Sequence, residues 1–284
     1  MGVLGYQVFQ ASISADIILS PRVQTISTVF TLTAKLGLKN IDVASASIPA
    51  GVFTSTQTSS LQGPTTGLVN CDFFLICRRG VSPDDIESLS EQIRPKLYSK
   101  INQNLQKQAR DANATIVGNP IYSNEQATSN PQIGTASKTV TVTMTGQGGV
   151  EYIKKKDADD LAIQLLKQKL SPNYALIDSL TQIGQPVVQQ VNPDKTVQMA
   201  IAVAGVSRYQ IPSSELNDIQ NQIKGLTKKD ALTQLAKQAN IDPNASSIRI
   251  SYGNTIPNNV QQIKIETINP TNLPQVQLTP VSPP

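Results

Sequence analysis

The sequence has no histidine and no tryptophan, and only 4% of its residues are aromatic. Without histidine the commonest general base is missing, and so are the Ser-His and Cys-His nucleophile pairs and almost every common zinc site. Charged residues are scarce as well, at 15%, so solubility rests on Gln, Asn, Ser and Thr side chains. No apolar run is long enough to span a bilayer. The opening stretch MGVLGYQVFQASISADIILSP lacks the basic start and long apolar core of a secretory leader. Cysteine occurs only at Cys71 and Cys77, inside the apolar run CDFFLIC. On one extended strand, residues six apart lie roughly 20 Å from each other, beyond disulfide reach. The run therefore points to buried thiols or to an intermolecular bridge, and it leaves the redox compartment open.

What is present is a core of Ile, Leu, Val and Ala divided among small units. A length of 284 residues accommodates two or three modest domains. The formal charge of +4 is spread along the chain. Its densest run, Lys154-Lys155-Lys156, is followed at once by Asp157, Asp159 and Asp160, so no specific nucleic-acid partner is expected.

Hydrophobic periodicity alternates β runs with capped helices. Residues 13–35 read as strand interrupted at Pro21, and Lys39–Ser47 as a second run. Thr54–Gly67 reads as a long loop, an exposed strand or a linker. Leu68–Arg78 is an apolar strand candidate. Ser82-Pro83-Asp84-Asp85 starts a helix that runs to Arg110 with Pro95 inside it. Ala114–Tyr122 reads as strand and Asn124–Gly134 as a polar loop. SKTVTVTMT at 137–145 alternates cleanly, and GQGG at 146–149 is expected to turn it. Lys156–Leu170 is helical, followed by strands at 175–180, 186–191 and 196–206. Ser213–Lys224 is a helix with Ser213 or Ser214 as its cap.

The block Leu226–Thr267 is the most structured stretch. Thr227 sits three residues before Asp230, the spacing of a helix cap. Leu232, Leu235, Ala236 and Ala239 form a narrow apolar stripe, with Asn240 and Asp242-Pro243 ending the helix. Ile248/Ile250/Tyr252 and Val260/Ile263/Ile265 then read as two strands. The tail Pro270–Pro284, rich in proline, suits polyproline or edge-strand conformation.

No residue combination suggests catalysis, a cofactor or a metal. Asp84/Asp85/Glu87 and Asp157/Asp159/Asp160 both fall in first helical turns, where acidic side chains offset the helix dipole. The Gly-rich stretches match no phosphate-cradling spacing. Asn113-Ala-Thr115 and Asn244-Ala-Ser246 fit the glycosylation acceptor pattern, which arises often by chance in an Asn/Ser/Thr-rich chain.

The order of segments carries a resemblance. ADIILSPRVQTISTVFTLTA, then IDVASASIPAG, then Thr66-Gly67, is similar to the N-terminal part of bacterial baseplate J-like proteins. VSPDDIESLSEQIRPKL, TASKTVTVTMTG and the closing GLTKKDALTQLAKQANIDPNASSIRISYGNTIPNNVQQIKIE resemble that family's later segments. The membrane anchor usual in cell-surface members is absent, and so is the central β insert after the TG passage. The resemblance implies a structural module and brings no catalytic residues.

The fold expected is α+β, with several small modules of antiparallel sheet packed against amphipathic helices and an N-terminal β segment. Its divisions are 1–67, an αβ module at 68–136, another at 137–212, a helix-strand-strand module at 213–269 and the tail at 270–284. The function expected is a non-enzymatic structural subunit, extracellular or at the cell surface. It would assemble with copies of itself through strand addition or the tail into an appendage or filament. A phage or contractile-tail baseplate component and a monomeric adhesion or glycan-binding module are the alternatives.

Overall fold

A computed structural model describes residues 13–71, 77–194 and 196–282. Among these, strand exceeds helix, 44% to 26%, and the chain is α+β with strand at the N-terminal side. Two compact units result, and each draws on segments distant in sequence.

The first unit holds the described residues up to Phe30, together with Ala162–Gln185 and Ile201–Ser282. Strand β1 (Ala15–Pro21) alternates inward Ala15, Ile17 and Leu19 with exposed Asp16, the period of a strand with one buried face. It is the middle strand of a three-stranded sheet, so the two strands of the C-terminal block do not pair with each other. Strand β13 (Ile241–Ile250) runs antiparallel on one side of β1, with Ile17 opposite Ile248. On the other side β14 (Ile263–Thr267) runs parallel, with Ile17 opposite Ile265. Helices Ser213–Ile223 and Lys228–Ala236 cover this sheet through Ile219, Ile223, Ala231 and Leu235. The block Leu226–Thr267 thus needs a strand from the far end of the chain to close its core.

Local signals in that block hold with changes. Thr227 caps the Lys228 helix, accepting from the Asp230 N–H at 3.2 Å and donating to Asp230 Oδ2 at 2.7 Å. The helix stops at Ala236, leaving Ala236 and Ala239 exposed, and Pro243 lies within β13 instead of ending a helix. The Ser213 helix is preceded by Pro212 and has no side-chain cap.

The second unit comprises Thr31–Leu161 and Pro186–Ala200. Strand β2 (Val23–Leu36) ends here, pairing parallel with the start of β3 (Ser47–Pro64) from Thr33↔Ser47 to Leu36↔Ala50. Lys39–Ser47 is therefore a turn between parallel strands, organised by Asp42 Oδ1, which accepts from Ala44 N at 3.0 Å. β3 keeps an unbroken antiparallel register with β8 (Thr139–Lys154), from Ala50↔Ile153 to Pro64↔Thr139. Of the readings open for Thr54–Gly67, exposed strand is the one adopted through Pro64. The other edge of β8 carries β6 (Ala114–Ile116) and β7 (Ile121–Asn130), so much of the expected polar loop 124–134 is strand. Helix α1 (Pro83–Asp111) lies on one face of this sheet. Its Ile93, Leu97, Ile101 and Leu105 are buried with Val140, Val142 and Met144.

GQGG does not turn β8; the strand passes straight through it. Helix packing is the reason. A Cβ at Gly148 would stand 2.4 Å from Ile101 Cγ2, and one at Gly146 would stand 3.1 Å from Leu97 Cδ2. These glycines let α1 sit close on the sheet.

The cysteines also differ from expectation, because Cys71 and Cys77 form an intramolecular disulfide with Cα atoms 4.0 Å apart. The expected strand Leu68–Arg78 falls partly on residues 72–76, which lie outside the described residues. Its two ends are β4 (Gly67–Val69) and β5 (Arg78–Gly80), paired antiparallel with Val69 opposite Arg78. The chain therefore reverses between them, with Asn70 at a φ of +50°, and brings the cysteines together.

The remaining elements are the helix α2 (Lys155–Gln168) and strands β9 (Tyr174–Leu176), β10 (Gln182–Ile183), β11 (Val187–Val191) and β12 (Val197–Tyr209). β12 is buried along both faces, Val197, Met199, Ile201 and Val203 on one and Ala200, Ala202 and Ala204 on the other. Residues 270–282 form neither helix nor strand, so the expected edge strand is not made, and Ser27 holds them in the first unit by donating to the Gln277 carbonyl at 3.1 Å. No helix among the described residues is long and apolar enough to cross a membrane.

Candidate functional site

Asp84 and Asp85 lie in the first turn of α1, whereas of the second cluster only Asp157 does, because α2 starts at Lys155 and places Asp159 and Asp160 beyond its first turn. Asp85 closes a capping box with Ser82, donating nothing and accepting from Ser82 N at 2.9 Å. It also accepts from Thr66 N at 2.9 Å and Thr66 Oγ1 at 2.7 Å. Burial pushes its pKa up, but the Thr66 and Ser82 hydrogen bonds outweigh that and bring it down to about 2. The Thr66-Gly67 passage thus has a structural task. Thr66 fixes Asp85, and Gly67 admits close approach, since a Cβ there would lie 2.7 Å from Ser82 Cβ. In the second cluster Asp160 pairs with Lys156, while burial raises the pKa of Asp159. Among the described residues no three His, Cys, Asp or Glu side chains gather in a way that could hold a metal ion.

The two acceptor-pattern asparagines are both exposed. Asn113 follows α1 at a φ of +47°. Asn244 lies on β13, where the Ser246 hydroxyl of its triplet donates to Asp242 O at 2.7 Å.

A broader feature lies on the second unit's sheet. β3 turns alternate residues towards α1, and the other set, Val52, Thr54, Thr56, Thr58, Ser60 and Gln62, is exposed on the opposite face. β8 contributes Thr141, Thr143, Thr145, Gln147 and Gly149 to that face, and β7 adds Gln126, Thr128 and Asn130 in register. None of these carries a charge. Hydroxyls pair across strands, Thr58 with Thr145 at 3.1 Å and Ser60 with Thr143 at 2.9 Å. β-Branched Thr suits such a half-exposed pleat.

At one end the polar rows give way to a hollow of about 420 Å³. Its exposed apolar lining is Leu36, Val52, Ile121 and Val191, accessible by 41%, 50%, 74% and 57%, beside buried Val117 and Val150. Two glycines open its floor. A Cβ on Gly149 would make only ordinary contact, 3.7 Å from Val52 Cγ1, and one on Gly118 would meet nothing within 4 Å. Unlike Gly148, neither glycine is required by packing. Glu151 brings the one carboxylate among the lining residues.

No part of this surface follows from a sequence motif. The alternation in SKTVTVTMT and TSTQTSS is the local signal for it, and the strand's continuation through GQGG carries it further than that signal reaches. Comparison with family models, with curated proteins and with solved structures finds no match to the chain.

Proposed function

We propose that this chain is a non-enzymatic structural subunit that assembles with copies of itself, or with neighbouring subunits, into an extracellular or surface appendage. The observation that carries the reading is the bare sheet face of the second unit, whose rows along β3, β8 and β7 carry no charge until Glu151 and end in exposed aliphatic side chains. A surface of that kind offers little charge repulsion against another protein and gains by covering its apolar end. The baseplate J-like resemblance of the segment order agrees with a structural module. The Cys71–Cys77 disulfide suits an oxidising compartment, which is where such appendages stand.

Light scattering over a concentration series, with negative-stain microscopy of the same material, tests the reading. Open-ended polymers are expected. Closed rings would favour a tail baseplate instead, and a monomer at every concentration would rule assembly out.

A further inference from the structure

Resting on the assembly reading, we infer that the hollow beside Gly149 receives residues 1–12 of a second copy of the chain. The receiving side has the character of an unfilled socket. Four large aliphatic side chains that a soluble surface would ordinarily scatter converge on one depression. Gly149 and Gly118 withhold side chains that would partly fill it, although the backbone would tolerate them.

The donor is argued from sequence and position. Residues 1–12 precede the first described residue, and no charged side chain occurs before Asp16. Leu4, Tyr6 and Val8 recur at period two, the spacing by which an extended segment lays one apolar edge into a groove. An uncharged segment also matches a lining whose one carboxylate is Glu151. Twelve extended residues can span roughly 40 Å, enough to leave one copy and reach into another. The proline-rich tail is the poorer donor, because Ser27 already holds it through Gln277 and Thr279. Donor and socket are different surfaces, so the contact is head-to-tail and, unless the rotation closes, gives an open polymer.

The test uses the full chain with a photo-crosslinking phenylalanine analogue in place of Tyr6, mixed in unlabelled and isotope-labelled forms. Irradiation of the assembled material should join the two forms through peptides that contain Val52 or Ile121. Ile121→Asp, a change at an exposed position, should raise the concentration needed for assembly at least tenfold while leaving circular dichroism unchanged. Assembled particles whose crosslinks fall elsewhere, or only within one chain, would overturn this inference and leave the assembly reading standing. Ile121→Asp chains that assemble like the parent would do the same. A chain that never assembles would overturn both.

Discussion

Asp85 shows how a single side chain can join segments distant in sequence. Its carboxylate accepts from Thr66 and Ser82 and so ties the end of β3 to the start of α1. Because the folded pKa is lowered from 3.8 to about 2, the charged form is the one the fold favours. Its contribution is present above the unfolded value and is lost as pH falls from about 4 to about 2. Asp85→Ala should cost about 2 kcal/mol in urea denaturation at neutral pH, through the lost cap and the orphaned donors. Asp85→Asn should flatten the acid limb of the stability curve. The cysteines make a second residue-scale prediction. Denatured, unreduced protein should take up no thiol reagent, and reduction should release both thiols. A disulfide-linked dimer on a non-reducing gel would contradict the intramolecular pairing.

At the scale of elements, adjacent glycines on β8 should respond in opposite ways to one substitution. Gly148→Val drives a branched side chain into Ile101 of α1 and should destabilise by about 1–3 kcal/mol. Gly149→Val points into the open hollow and should leave stability within about 0.5 kcal/mol. Thermal melts of the two variants separate the cases. Strand β1 makes the complementary prediction. Ile17→Ala removes a fully buried side chain from the middle strand and should cost about 2–5 kcal/mol.

Elements also show what the sequence could convey. The α1 and Lys228 helices were legible because cap residues and apolar periodicity are local. The continuation of β8 through GQGG was not, because its cause is a helix packed from elsewhere in the chain. The cysteine pairing was hidden for a similar reason. It depends on β4 and β5 reversing, which an apolar run does not announce. No motif could disclose the hollow beside Gly149, since β2, β3, β7, β8, β11 and the link between β6 and β7 bring its lining together.

At the scale of the whole molecule, both units are built from segments far apart in sequence, and neither is a consecutive module. β1 closes the first unit's core. The second unit packs a helix on one sheet face and leaves the other bare, with Thr, Ser and Gln rows and the single carboxylate of Glu151 at the hollow. One face is thus used for folding, and the other is the face that the proposed assembly would cover. Low charge and an exposed aliphatic hollow together favour association over solvation.

The most direct measurement is the concentration dependence of particle size for the full chain, by light scattering with negative-stain images of each sample. Assembly predicts a mass that grows with concentration and open-ended polymers in the images. A single monomeric species across the whole range would contradict it.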